Sequence, residues 1–127
     1  MSAIWGNLFF SGNKPENIDS LMCEPYKTKC KIDRIESASE NMCYFGCGIQ
    51  YITKEAIRET LPLYDKDNNI FLTADCLLDN REELLNALAL TDNTLTDGNL
   101  IQLAYLKWGI DCVKHFRGLF SIAMWDG

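Results

Sequence analysis

Residues 72–84 read LTADCLLDNREEL, and this stretch decides how the rest of the chain is interpreted. The apolar run over residues 70–75 predicts a buried strand. Directly after it, Asp79 or Asn80 offers a side-chain oxygen that can cap the first turn of a helix. An apolar stripe at helical spacing then continues to about residue 90 through Leu84, Leu85 and Leu88. The stretch therefore predicts a strand that passes directly into a helix.

Strands and helices are also predicted on both sides of this stretch. The predicted strands cover residues 3–10, 31–39, 42–52, 70–75 and 119–125. The predicted helices and helical turns cover residues 17–22, 53–60, 80–90, 97–108 and 111–116, with Thr96 or Asp97 as a cap and Gly109 as a terminator. The first helix should end before Pro25, because the residue before a proline avoids the helical conformation. Strands come first and last, which is typical of a layered α+β domain with an antiparallel sheet.

Composition and charge limit the possible functions. The 127 residues provide one domain, and a net charge of −6 with a pI of about 4.7 argues against nucleic acid as a partner. No apolar run is long enough to span a membrane. Residues 1–10 lack the basic start and the small-residue cleavage site of a secretory signal. We therefore expect a cytoplasmic protein that contacts neither nucleic acid nor membrane.

The six cysteines could in principle form disulfides or bind a metal ion, which would make the chain a redox or metal-binding module. Their positions match no disulfide framework: Cys23, Cys30, Cys43, Cys47, Cys76 and Cys112. Only Cys43 and Cys47 approach the short spacing of zinc ligands, and the single histidine, His115, lies in a helix-like stretch. We therefore expect buried free thiols and no metal site.

Three blocks resemble the amino-terminal glutaminase domain of the asparagine synthetase family. They are residues 72–84, residues 96–109 with their LAYLKWG ending, and the LFSIAMWD strand at residues 119–126. The resemblance covers residues 71–127 well and residues 11–60 only loosely. It implies a class II glutamine amidotransferase domain with the fold of the N-terminal-nucleophile hydrolases, a four-layer α-β-β-α sandwich.

The resemblance also implies a larger protein. Residues 1–127 would form the glutaminase-like domain, which we expect to be truncated because residues 125–127 fall inside a sheet that should continue. In the family a synthetase domain follows, and its serine- and glycine-rich pyrophosphate loop does not occur here. The expected partner is therefore a carboxy-terminal synthetase domain or a separate synthetase subunit. ATP and Mg²⁺ would belong to that partner, and this domain would need no cofactor of its own.

The same resemblance assigns site positions. The family's nucleophile is a cysteine after the initiator methionine, activated by its own α-amine, and Ser2 occupies that position here. The Asn-Gly pair of the family's oxyanion hole falls on Asp75 and Cys76, and Asp97 matches the aspartate that binds the substrate's amino group. The family's arginine for the glutamine α-carboxylate has no counterpart over residues 46–52. By this resemblance, the sequence keeps one of the family's four functional positions.

These departures predict a degenerate, non-catalytic amidotransferase-like domain of an amide-forming, ATP-dependent protein. They resemble the asparagine synthetase-like cyclases of lasso-peptide biosynthesis, in which the amine comes from a peptide rather than from glutamine. The substrate contacted by the domain would be glutamine or a peptide. The alternative is an active glutaminase that supplies ammonia for asparagine biosynthesis, with residue 2 as nucleophile. Whether the chain is an enzyme is left open by the sequence.

Overall fold

The computed structural model describes residues 3–11, 13–29 and 31–127. In this part of the chain lie six strands, three α-helices and two 3₁₀ segments. The strands are β1 (Ala3–Leu8), β2 (Arg34–Glu40), β3 (Cys43–Ile49), β4 (Leu63–Asp65), β5 (Ile70–Leu78) and β6 (Gly118–Asp126). The helices are α1 (Ile18–Lys29), α2 (Arg81–Ala87) and α3 (Asp97–Trp108), and the 3₁₀ segments are Ala56–Arg58 and Gly109–His115. The prediction of an α+β fold is confirmed.

The strands form two small antiparallel sheets. Sheet A has the order β1-β3-β2 and sheet B the order β4-β5-β6. The sheets meet through their central strands, where the rings of Phe45 and Phe71 stack with centroids 4.9 Å apart. Beside them the Thr73 hydroxyl donates to the Gly46 carbonyl over 3.3 Å. All seven residues of β3 are buried, because this strand is covered on both faces.

Helices contact both sheets. On sheet A, Ile18 and Cys23 of α1 pack in one cluster with Trp5 and Tyr44. On sheet B, α3 contacts β5, and its apolar stripe joins a larger cluster with residues of β3 and β5. The buried residues that α3 contributes to this cluster are Leu100, Ile101 and Ala104.

The predicted end of the first helix before Pro25 is wrong. Helix α1 continues through Pro25 to Lys29. A proline inside a helix removes one backbone hydrogen bond and destabilises by about 3 kcal/mol, so other contacts must offset it. Tyr26, directly after the proline, stacks on Trp5 with ring centroids 4.9 Å apart. This packing on sheet A keeps the second half of α1 in place.

The predicted cap of α3 is confirmed, whereas the predicted side-chain cap of α2 is not formed. Thr96 caps α3, and its hydroxyl accepts from the Asn99 backbone N–H over 3.3 Å. Asn80 precedes α2, but its side chain binds the segment before β6: it donates to the His115 carbonyl and accepts from the Arg117 N–H, over 2.9 and 3.0 Å. These contacts lie where the end of β5 meets the start of β6. The two strands pair over nine residues, and β5 extends beyond its predicted end.

The thiols in the described part of the chain are free, and four of them are buried: Cys23, Cys43, Cys47 and Cys112. Cys30 lies outside the described residues. Across residues 3–11, 13–29 and 31–127 there is no cluster of three acidic, histidine or cysteine side chains that could hold a metal ion. His115 stacks on Trp108 with centroids 3.9 Å apart. The described helices include none that is long and apolar enough to cross a membrane.

Candidate functional site

Two adjoining cavities lie where β3 and β5 end. The inner cavity has a volume of about 40 Å³, and the outer cavity has a volume of about 300 Å³. Five residues line both of them: Gln50, Thr53, Ala56, Asp75 and Cys76. The inner cavity continues toward the start of α3, and the outer cavity continues toward the exposed start of β6. The two cavities therefore form one continuous site with a narrow inner end.

The structure brings together three of the four residues that the sequence assigned to the site. Asp75, Cys76 and Asp97 all line the inner cavity, although 21 positions separate the last two in sequence. The fourth residue, Ser2, lies outside the described residues. Ala3 is the first described residue, and it pairs with Gly48, which lines the inner cavity. The register of β1 thus begins at the cavity wall.

Asp97 is held by the protein itself. Its Oδ2 atom accepts from the Leu78 backbone N–H over 3.2 Å, and its Oδ1 atom accepts from the guanidinium of Arg81. Burial raises the pKa of this carboxyl above its ordinary value, while the Leu78 N–H and Arg81 act in the opposite direction. Since both oxygens have partners, Asp97 fixes the geometry of the inner cavity.

Asp75 has no such support. Its side chain is half-buried and makes no hydrogen bond or ion pair with any residue that the structure describes. Across the ladder its backbone pairs with Ser121, which lines the outer cavity. The Asp75 carboxylate therefore stands between the two cavities as an acceptor that the described part of the protein leaves unpaired.

Glu59 is a site residue that sequence reasoning missed. It is only 6% exposed, and its Oε1 atom accepts from the Thr96 hydroxyl over 2.8 Å. Its Oε2 atom accepts from the Gly98 backbone N–H over 3.0 Å. Residues 53–60 look like a polar helical turn, so no periodicity indicates that Glu59 is buried. The sequence feature that relates to this contact is the glycine at position 98. A Cβ atom there would lie 2.7 Å from Glu59 Oε1.

Cys76, which lines both cavities, and Cys47, next to the lining residue Gly48, are neutral thiols. Burial, followed by the charge of Asp97, raises the pKa of Cys76 far above that of a free thiol. Burial, followed by the charge of Glu59, raises the pKa of Cys47 to about 12. Neither side chain is therefore a thiolate at neutral pH, and neither is poised to act as a nucleophile.

No cationic side chain lines either cavity among the described residues. Two arginines that contact lining residues are already engaged. Arg81 donates to Asp97 and to the Leu95 carbonyl. Arg34 donates to the Glu59 carbonyl and lies 3.7 Å from the Glu36 carboxylate. Lys54 lies 3.8 Å from the Glu55 carboxylate of the inner lining. These three cations beside the site therefore already have partners within the protein.

The family model described as "Glutamine amidotransferase domain" matches residues 50–127, which is more than half of the chain. The matched range includes Asp75, Cys76 and Asp97. The chain belongs to the glutamine amidotransferase domain family. A search of the curated proteins finds no match.

Proposed function

We propose that this domain is a catalytically silent glutaminase-like domain of an asparagine synthetase-type, amide-forming protein. The observation that supports the proposal most directly is the unpaired carboxylate of Asp75 at the cavity. By the resemblance, this position belongs to an oxyanion-hole asparagine. Hydrolysis of glutamine builds negative charge on an oxygen, and an oxyanion hole stabilises it with hydrogen-bond donors. A carboxylate is an acceptor only, and its charge repels the developing oxyanion.

The loss of an oxyanion-hole donor is large enough to abolish measurable glutaminase activity. Removing one oxyanion-hole donor destabilises the transition state by about 2.7–4 kcal/mol, which is a rate loss of about 10² to 10³. Replacing the donor with a negative charge adds repulsion to that loss. The absence of a lysine, arginine or histidine from the described lining also leaves the α-carboxylate of glutamine without a partner. Two different steps, binding and chemistry, are therefore disfavoured.

The contacts of the sheets support the proposed architecture of an N-terminal-nucleophile hydrolase sandwich. Helix α1 packs on sheet A, sheet A packs on sheet B, and α3 packs on β5 of sheet B. This succession is the one expected of a four-layer α-β-β-α arrangement. In the proposed role the domain serves as a scaffold or a substrate-contacting partner of a synthetase domain or subunit. ATP and Mg²⁺ would bind to that partner, and a peptide amine would replace ammonia, as in the lasso-peptide cyclase branch.

One observation favours the alternative, an active glutaminase. The register of β1 places Ala3, the first described residue, opposite Gly48, which lines the inner cavity. A nucleophile at position 2 would therefore have a short path to a bound substrate. Under this alternative the Ser2 hydroxyl, activated by the α-amine, attacks the glutamine side-chain amide and releases ammonia.

Ammonia release from glutamine separates the two proposals. Intact mass first establishes that Met1 has been removed, because a retained methionine would block the α-amine. The protein and its Ser2→Cys variant are then assayed for ammonia with glutamine in excess. We expect no release above the buffer rate from either protein. Ammonia formation by either one, proportional to protein concentration, would overturn the silent assignment.

A further inference from the structure

We propose that the two adjoining cavities bind a ligand with a positively charged amine on an apolar group and without a carboxylate. The inference rests on the proposed function, because it takes the same cavity as the ligand site and assigns its ligand class. Three features of the site carry it: the charge of the inner lining, the apolar wall of the outer cavity and the difference in their volumes.

The inner lining has one sign of charge. Four carboxylates line it, from Glu55, Glu59, Asp75 and Asp97, and no cation lines it in the described part of the chain. Glu59 and Asp97 already receive protein hydrogen bonds on both oxygens. The Glu55 carboxylate lies 3.8 Å from the Lys54 ammonium. Asp75 receives no hydrogen bond and no ion pair from any described residue, so it is the acceptor available to a ligand. An ammonium group has three donors and no acceptor, and it suits this arrangement.

The outer cavity has an apolar wall. Its apolar side chains come from the loop after β3, from β5 and from β6: Ile52, Leu77, Leu119 and Phe120. Ile52 and Leu119 are 65% and 77% exposed, so a ligand lying against them would remove apolar surface from water. Small-molecule sites commonly combine such a wall with a few polar groups that fix orientation. Here the orienting group is Asp75, which lines both cavities.

The two cavity volumes suit a ligand with a small charged group in the inner cavity and a larger apolar group in the outer cavity. A volume of about 40 Å³ admits a group the size of an ammonium or a few waters, whereas about 300 Å³ accommodates a ring or a branched alkyl group. A ligand carboxylate in the inner cavity would lose its hydration beside the unpaired Asp75 carboxylate, and no cationic side chain lines that cavity among the described residues. Glutamine carries such a carboxylate, so the site discriminates against it.

A direct titration tests the ligand class. Phenethylamine and 3-phenylpropionate have the same ring and two-carbon spacer and differ in the sign of their charge. We titrate each of them, and glutamine, into the full chain at pH 7 and follow amide chemical shifts around Asp75. We expect saturable binding of phenethylamine and at least tenfold weaker binding of the other two compounds. Equal or tighter binding of 3-phenylpropionate or glutamine, or no saturable binding of phenethylamine, would overturn the proposal.

A matched pair of variants assigns the contact. Asp75→Asn removes the unpaired carboxylate, and Asp67→Asn makes the same charge change on the exposed turn before β5. We expect Asp75→Asn to weaken phenethylamine about tenfold and Asp67→Asn to leave it unchanged. An unchanged affinity in Asp75→Asn, or an equal loss in both, would contradict the assignment. Because ammonia release reports on the proposed function and the titration reports on the ligand class, failure of one is distinguishable from failure of the other.

Discussion

Arg81, the first residue of α2, donates its guanidinium N–H to the carboxylate of Asp97, the first residue of α3. The two side chains are 19% and 9% exposed, so this ion pair is largely removed from water. Asp97 also accepts from the Leu78 N–H at the end of β5. One carboxylate therefore joins a strand and two helices at the inner cavity.

Removing the arginine should destabilise the fold strongly. Arg81→Met keeps much of the side-chain volume but leaves Asp97 as a buried charge without its cation, which destabilises by about 3–5 kcal/mol. The free energy of unfolding is measured by urea titration. The control is Lys114→Met, because Lys114 pairs with Asp111 at the surface and such pairs contribute about 0–1 kcal/mol. Similar losses in the two variants would show that the buried pair has no special role.

Removing the charge of Asp75 should stabilise the protein. Its half-buried carboxylate has no partner among the described residues and shares the cavity wall with Asp97 and Glu59. Asp75→Asn removes the like-charge repulsion and should raise the free energy of unfolding by about 0.5–1 kcal/mol. Asp67→Asn, at an exposed turn, should change it by less than about 0.5 kcal/mol. A loss of stability in Asp75→Asn would instead show that the carboxylate has a stabilising role.

The sequence predicted the elements that follow strong local rules. The cap at Thr96, the terminator at Gly109 and the order of strands and helices around residues 72–84 agree with the structure. Each depends on a hydrogen bond or an apolar period that acts within a few residues. The end of α1 was predicted wrongly, because the stacking of Tyr26 on Trp5 is a tertiary contact that overrides the local effect of Pro25.

Only part of the site could be predicted, because some of its residues come together through tertiary contacts. Asp75, Cys76 and Asp97 were found through a resemblance, and the structure shows them at one cavity. Glu59 was not found, since its burial depends on the approach of Gly98 from a distant helix. The hydrogen bond from Arg81 to Asp97 could not be predicted either. A sequence shows that an arginine is present but not which acceptors its guanidinium contacts.

A methyl group at Gly98 should disturb Glu59. The added Cβ atom would lie 2.7 Å from Glu59 Oε1 and 3.0 Å from Leu61 Cδ2. Although alanine is a better helix former than glycine, overpacking should lower the stability of Gly98→Ala by about 1–3 kcal/mol. Urea unfolding of Gly98→Ala, Glu59→Ala and the double variant measures the coupling. We expect the glycine substitution to be less destabilising in the Glu59→Ala background, and strictly additive losses would rule out the proposed clash.

Alkaline pH should destabilise the fold through the buried thiols. Burial raises the pKa of Cys43 to about 11 and that of Cys47 to about 12, from an ordinary value of 9.0. The unfolded chain therefore releases these protons first, and stability that is fully present below pH 9 is lost as the pH rises toward the folded-state values.

Cysteine 47 provides the sharper test of this pH dependence, because Cys47 is fully buried and its thiol donates to the Leu61 carbonyl over 3.1 Å. At pH 10 each such thiol should lower the free energy of unfolding by about 1 kcal/mol relative to pH 7. Urea unfolding is measured at both pH values, under reducing conditions, for the native chain and for Cys47→Ala. The pH 7 values report what the substitution itself does to packing, so the comparison rests on the change between the two pH values. That change should be smaller in Cys47→Ala, whereas equal changes would mean that ionisation of this thiol does not contribute to alkaline unfolding.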